Sequence, residues 1–120
     1  FMLKRILVLD DNLDILEMVN EVLSYENYDV HATSNSSGIL AVAEKFNPDL
    51  VILDYRLSNA NGGEICRELK SHPQLKSIPV IIFSAYINHS VDFSKYGCNA
   101  VIAKPFDLSQ LLETVNGLIN

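Results

Sequence analysis

A chain of 120 residues with 48% hydrophobic content holds one core and one domain. Its 15 acidic residues against 9 basic ones leave a net charge of −6, which argues against direct binding to nucleic acid or docking on an anionic membrane. Cys66 and Cys98 lack a C-x-x-C spacing, every apolar run is too short to span a bilayer, and the N-terminus has no signal-peptide pattern, so the expectation is a soluble cytoplasmic protein with free thiols.

Short apolar runs alternate with helix-period segments five times. Residues 3–9 form the first expected strand; Leu13, Ile15, Leu16, Val19, Val22 and Leu23 then recur at helical spacing behind Asp11 or Asn12 as the cap. Residues 28–33 make the second strand. Ser36 or Ser37 is expected to cap a helix with Ile39, Val42, Ala43 and Phe46 inward, which Asn47-Pro48 stops before the strand at 50–53. A Ser/Asn/Gly loop at 56–63 leads to a helix carrying Ile65, Cys66 and Leu69 that ends near Ser71-His72-Pro73. The fourth strand is 80–83. A fourth helix is placed at 90–96 with Gly97 as its stop, the fifth strand at 100–103, and a fifth helix follows behind Asp107, with Leu108, Leu111, Leu112, Val115, Leu118 and Ile119 as its stripe.

Near-continuous apolar strands alternating with helices imply an α/β protein with a parallel sheet covered on both faces. Right-handed crossovers leave few topologies, and the expected one is the flavodoxin-like, doubly wound order 2-1-3-4-5, here with five strands and five helices. In that order the winding direction reverses between strands one and three, and a crevice opens at their carboxyl ends. Asp10, Asp11 and Asp54 end those two strands and line it.

Crowded carboxylates repel, and a hard divalent cation relieves them. Carboxylate oxygens, a backbone carbonyl and water suit Mg²⁺, while no His or Cys cluster favours zinc. Lys104, closing the fifth strand, adds a positive charge that makes the crevice receptive to a phosphoryl group, with a carboxylate as nucleophile. Ser84, closing the fourth strand, is placed to donate a hydrogen bond to the same group. Taken singly these residues have plainer readings: Asp11 as a helix cap, Ser84 as a turn residue, Lys104 as a solvated lysine. Their joint position is what points to a site. His31, His72 and His89 are dispersed and read as surface or loop residues, Glu64 and Arg67 as a solvated helix face, and the cysteines as small buried hydrophobes.

The set Asp10-Asp11, Asp54, Ser84-Ala85 and Lys104-Pro105, with Gly62 and Glu64 after the central Asp, resembles the receiver domain of bacterial two-component response regulators across essentially the whole chain. The resemblance implies one receiver domain over residues 1–120. Phe1 ahead of Met2 reads as an added residue, so the chain can be a piece of a regulator or hybrid kinase. It implies that Asp54 accepts phosphate from a sensor histidine kinase or a phosphotransfer protein. Asp11 would bind Mg²⁺ directly, Asp10 largely through water, and the Arg56 backbone carbonyl would be a further ligand. Ser84 and the Ala85 amide would hold phosphate oxygens, Lys104 would pair with them, and Lys104-Pro105 would be cis. Such a domain is no enzyme in the usual sense, catalysing only its own phosphorylation and dephosphorylation. The phosphoryl group would shift a conformational equilibrium read out on the fourth-helix to fifth-helix face, where dimerisation is common in the family.

Two departures from the family pattern fall on that face. Val101 stands three residues before Lys104, where receivers usually carry Tyr or Phe, and the stretch from Ser84 to Lys104 is shorter than usual by about two residues. The expectation is therefore that the signal runs mainly through the loop 85–89. Large side chains at Arg56 and Tyr86 imply slow self-dephosphorylation, although Arg56 reads almost equally well as a surface ion-pair partner. Three competing functions are weighed. A flavin-binding module lacks its phosphate loop after strand one. A phosphatase of the haloacid dehalogenase type wants a second Asp where Arg56 stands. A phosphate-independent receiver-like interaction module is kept in view by Val101.

Overall fold

The computed structural model describes residues 2–85 and 91–119. In chain order it comprises β1 (Arg5–Leu9), α1 (Leu13–Tyr25), β2 (Asp29–Thr33), α2 (Ile39–Phe46), β3 (Leu50–Asp54), α3 (Gly62–Ser71), β4 (Val80–Ser84), a 3₁₀ turn (Phe93–Tyr96), β5 (Ala100–Ala103) and α4 (Leu108–Ile119). The five strands form one parallel sheet in the order β2-β1-β3-β4-β5. Among the described residues no helix is long and apolar enough to cross a membrane.

The period-2 geometry of each strand divides its side chains between two cores. Leu7, Leu9, Val51, Leu53, Val80 and Ile82 pack against Ile39 and Ala43 of α2 and Ile65, Cys66 and Leu69 of α3. Ile6, Val8, Leu50, Ile52, Ile81, Phe83 and Ile102 face the opposite way, onto Leu16, Val19 and Leu23 of α1 and Leu111 and Val115 of α4. The central strands β3 and β4 are buried throughout, whereas β2 and β5 at the sheet edges are partly open. This explains why β2 tolerates the exposed Asp29 and His31.

Helix ends follow local chemistry, with two corrections. Of the two candidate caps for α1, Asn12 is the one used: its side-chain oxygen accepts from the Asp14 and Ile15 amides at 3.1 and 3.2 Å. Asp107 accepts from the Gln110 amide at 2.7 Å. Neither Ser36 nor Ser37 caps α2. The cap is Gly38 in a left-handed conformation at φ 66°, because the turn before it closes through the backbone, Ile39 N donating to Ser36 O at 3.2 Å. Asn47, also left-handed, ends that helix ahead of Pro48.

The second correction concerns the helix count: among the described residues there are four α-helices where five are expected. Where a helix over 90–96 is expected, residues Phe93–Tyr96 make only a 3₁₀ turn. Asp92 caps it, accepting from the Ser94 amide and hydroxyl, and Gly97 stops it at φ 81°. Four residues between these two signals cannot complete a regular α-helix. The turn is held by Tyr96, buried against α3 where Gly63 leaves room: a Cβ at Gly63 would lie 2.6 Å from the tyrosine ring. Ser90, Tyr86 and most of the loop 85–89 expected to carry the signal lie outside the described residues.

Gly117 offers a contrast within α4. A Cβ there meets nothing within 4 Å and its φ is ordinary, so Gly117→Ala is expected to raise stability by about 0.5–1 kcal/mol through helix propensity alone, measured by urea denaturation.

Candidate functional site

The strand register brings the carboxyl ends of β1, β3, β4 and β5 level, with Leu9 opposite Leu53, Asp54 opposite Phe83 and Ser84 opposite Ala103. The residues at or just past those ends are Asp10, Asp54, Ser84 and Lys104. Asp10 is fully buried. Its Oδ1 accepts from the Asn12 amide at 2.9 Å, and its Oδ2 lies 3.1 Å from Lys104 Nζ. The same Nζ is 3.0 Å from Asp54 Oδ1, so one ammonium bridges two buried carboxylates. Lys104 is anchored at its own amide, which donates to Ser84 O at 2.9 Å, and the following peptide to Pro105 is cis.

Asp11, half-buried at the mouth, is held separately. Its Oδ2 accepts from both the Ser58 amide at 2.8 Å and the Ser58 hydroxyl at 2.6 Å. Ser58 belongs to the loop after β3, which closes on itself through Leu57 N to Ala60 O at 3.1 Å, Gly62 N to Tyr55 O at 2.8 Å, and an antiparallel bridge between Arg56 and Asn61. Arg56 is exposed on that loop. Ser84 is buried at the end of β4 and Ala85 beside it is exposed. Val101 pairs with Ile82, one pleat before the Ala103–Ser84 pair, and so shares a sheet face with Ser84.

The electrostatics follow from burial and neighbours. Burial, joined by repulsion from Asp10 and Asp11, raises the Asp54 pKa above the usual carboxylate value even though the Lys104 hydrogen bond opposes it. Burial works against the charge on Lys104, but its hydrogen bonds to Asp54 and Asp10 outweigh this and its pKa is raised. The Ser58 hydroxyl bond holds Asp11 below its ordinary value.

Asp10, Asp11 and Asp54 each offer an oxygen, all within 4.8 Å of one another. An all-oxygen donor set carrying three acidic groups against one lysine fits a hard divalent cation. His31 is exposed on the edge strand, and His72 sits 3.7 Å from Glu44, so neither histidine reaches this cluster. Cys66 is fully buried, its thiol pKa pushed up to about 11 by desolvation, which leaves it a core hydrophobe and not a nucleophile.

Two participants were not legible beforehand. Ser58 sits in a Ser/Asn stretch that reads as a turn, and nothing in its spacing announces a bond to a residue 47 positions away. The Asn12 amide on Asp10 is a backbone contact that follows only from the tight entry into α1.

The response regulator receiver domain model matches residues 6–116. The response regulator ArlR of Staphylococcus saprophyticus is 32% identical over 117 residues, which cover 96% of this chain and 52% of ArlR. The polar-differentiation response regulator DivK of Brucella anthropi is 27% identical over 118 residues, covering 97% of this chain and 96% of DivK. Among solved structures, the response regulator TrrA of Thermotoga maritima, in complex with Mg²⁺-BeF, superposes with a TM-score of 0.85 at 32% identity, covering 97% of this chain and 99% of TrrA. With matching residues spread over nearly its full length and a sheet whose carboxyl edge gathers three aspartates and a lysine, this chain belongs to the response regulator receiver domain family of two-component signalling.

Proposed function

We propose that the chain receives a phosphoryl group on Asp54 and uses it to change its own conformation. The observation that carries the reading is the Lys104 ammonium set between Asp54 and Asp10 beside a third carboxylate. In the transfer, an Asp54 carboxylate oxygen forms a bond to phosphorus as the phosphorus–nitrogen bond of a phosphohistidine breaks, and the imidazole departs with that electron pair. Burial strips water from the Asp54 carboxylate and leaves Lys104 as its fixed counter-charge. Lys104 then pairs with the phosphoryl oxygens, and the Ser84 hydroxyl and Ala85 amide hold the remaining ones. Asp11, Asp54 and the Arg56 carbonyl would hold Mg²⁺, with Asp10 acting through water. Once bound, the ion would neutralise charge on the transferring group.

The donor in this reading is a sensor histidine kinase or a phosphotransfer protein. The chain spans nearly all of DivK and about half of ArlR, so the output lies either in a separate partner or in a further domain. Ser84 and Val101 share a sheet face, and movement of Ser84 toward the phosphate opens space that Val101 can fill without an aromatic swing.

Intact mass after incubation with acetyl phosphate, with and without Mg²⁺, tests the reading. The expected result is a Mg²⁺-dependent gain of one phosphoryl group in the native chain and none in Asp54→Ala. An equal gain in the variant would move the acceptor elsewhere. No gain in the native chain would favour a phosphate-independent interaction module.

A further inference from the structure

Resting on the reading of the carboxylates as Mg²⁺ ligands, we propose that Ser58 is a positioning residue for the metal, fixing Asp11 and the Arg56 carbonyl in one relation to each other. Asp10 and Asp54 are already oriented by Lys104, at 3.1 and 3.0 Å. Asp11 belongs to neither of these pairs, lies at the half-open mouth, and is held by the amide and the hydroxyl of Ser58. Both Ser58 donors converge on Oδ2, at 2.8 and 2.6 Å, so Oδ1 is the oxygen left for a cation.

The position of Ser58 links Asp11 to the expected carbonyl ligand. Ser58 lies two residues after Arg56 on a loop closed by the Arg56–Asn61 bridge and by Leu57 N to Ala60 O at 3.1 Å. The expected carbonyl ligand therefore rides on the same small hydrogen-bonded loop that grips the expected carboxylate ligand. These two ligands come from segments far apart in sequence, and Ser58 ties one segment to the other. Outer partners of this kind, which hydrogen-bond a ligating carboxylate, set metal affinity by removing the freedom the ligand would otherwise lose on binding.

Isothermal titration of the full chain with MgCl₂ alone, without any phosphoryl donor, provides the test. Ser58→Ala keeps the amide bond and loses the hydroxyl bond; it is expected to weaken Mg²⁺ binding by about tenfold, while Ser58→Thr, which keeps the hydroxyl, binds as the native chain does. Thermal melts in EDTA serve as the check on folding, and both variants are expected to melt cooperatively. An unchanged or tighter affinity in Ser58→Ala would overturn the inference and identify the hydroxyl as a competitor of the ion. A weakened affinity that Thr does not restore would also overturn it. If the native chain itself binds no Mg²⁺, the reading of the carboxylates as a metal site fails, and that result is distinct from a native chain that binds with Ser58 contributing nothing.

Discussion

Gly62→Ala is expected to destabilise the fold by about 3 kcal/mol and to blunt phosphoryl uptake in the molecules that remain folded. Two effects of the substitution oppose each other. Alanine is favoured over glycine inside a helix by about 0.8–1 kcal/mol, and Gly62 is the first residue of α3. Against this, a Cβ at Gly62 would lie 2.1 Å from the Asp54 carbonyl oxygen and 2.9 Å from its carbonyl carbon. Those are backbone atoms at the end of a strand buried on both faces, and they have no rotamer by which to move aside. The Gly62 amide is also committed, donating to Tyr55 O at 2.8 Å, so α3 cannot retreat without losing that bond. The clash wins, and relief has to come from shifting Asp54 itself. Urea denaturation of native, Gly62→Ala and Gly117→Ala chains checks the sign: the same chemical change in two helices should move the midpoint in opposite directions. A Gly62→Ala midpoint at or above the native one would mean that the helix start slides at little cost.

How much of this was readable in advance depends on whether the signal is a pattern or a single contact. Asp10 and Asp54 were legible because each ends an apolar run, and parallel strands covered on both faces place such ends on one edge. Alternation of strands and helices together with crossover handedness leaves few strand orders, and the flavodoxin-like one among them is the order observed. Caps were legible where a side chain makes them, at Asn12 and Asp107, and were misread where the backbone does, at Gly38. The 3₁₀ turn found where the fourth helix is expected has a related cause: a helix stop at Gly97 says nothing about how many turns precede it. Tyr96 supplies the packing there, and its slot exists because α3 has a glycine at position 63, a pairing of residues 33 apart that no local periodicity encodes. Ser58 escaped for the same reason.

That short turn also bears on signalling. The Tyr55 ring lies 5.0 Å from Phe93 and 6.0 Å from Tyr96, and the two tyrosine hydroxyls are 3.2 Å apart. Tyr55 directly follows Asp54, and its amide donates to Phe83 O at 2.8 Å. These contacts pack the residue after Asp54 against the turn between β4 and β5, and under the proposed function a displacement at the end of β3 would reach that turn through them.

Lys104→Met is the second large effect, expected to destabilise the metal-free chain by about 3 kcal/mol at pH 7, because it strands two buried carboxylates without a counter-charge. Methionine matches the lysine stem in volume and can keep its place near the Phe83 ring, so the loss isolates the charge. The deficit should depend on pH in a definite sense. Burial already raises the Asp54 pKa, and the lysine's hydrogen bond is the leading influence holding it down; removing that bond raises it further in the folded state. A carboxyl whose folded pKa exceeds its unfolded value favours folding when protonated, so the penalty is full above the folded pKa and fades as pH falls below it toward about 4. Mg²⁺ should relieve it too, by supplying positive charge to the same cluster of carboxylates. Adding Asp10→Asn removes one of the stranded charges while leaving an oxygen to accept the Asn12 amide at the position of Asp10 Oδ1, and it is expected to recover most of the loss. Urea denaturation at pH 7 and pH 5, with Mg²⁺ and with EDTA, distinguishes these contributions. A deficit that is equal in all four conditions would assign the role of Lys104 to packing, and the bridge between Asp10 and Asp54 would then be a contact of little energetic consequence. A deficit confined to neutral pH without Mg²⁺ would make the ammonium the fixed counter-ion that keeps the carboxylate cluster folded until a cation or a phosphoryl group changes its charge.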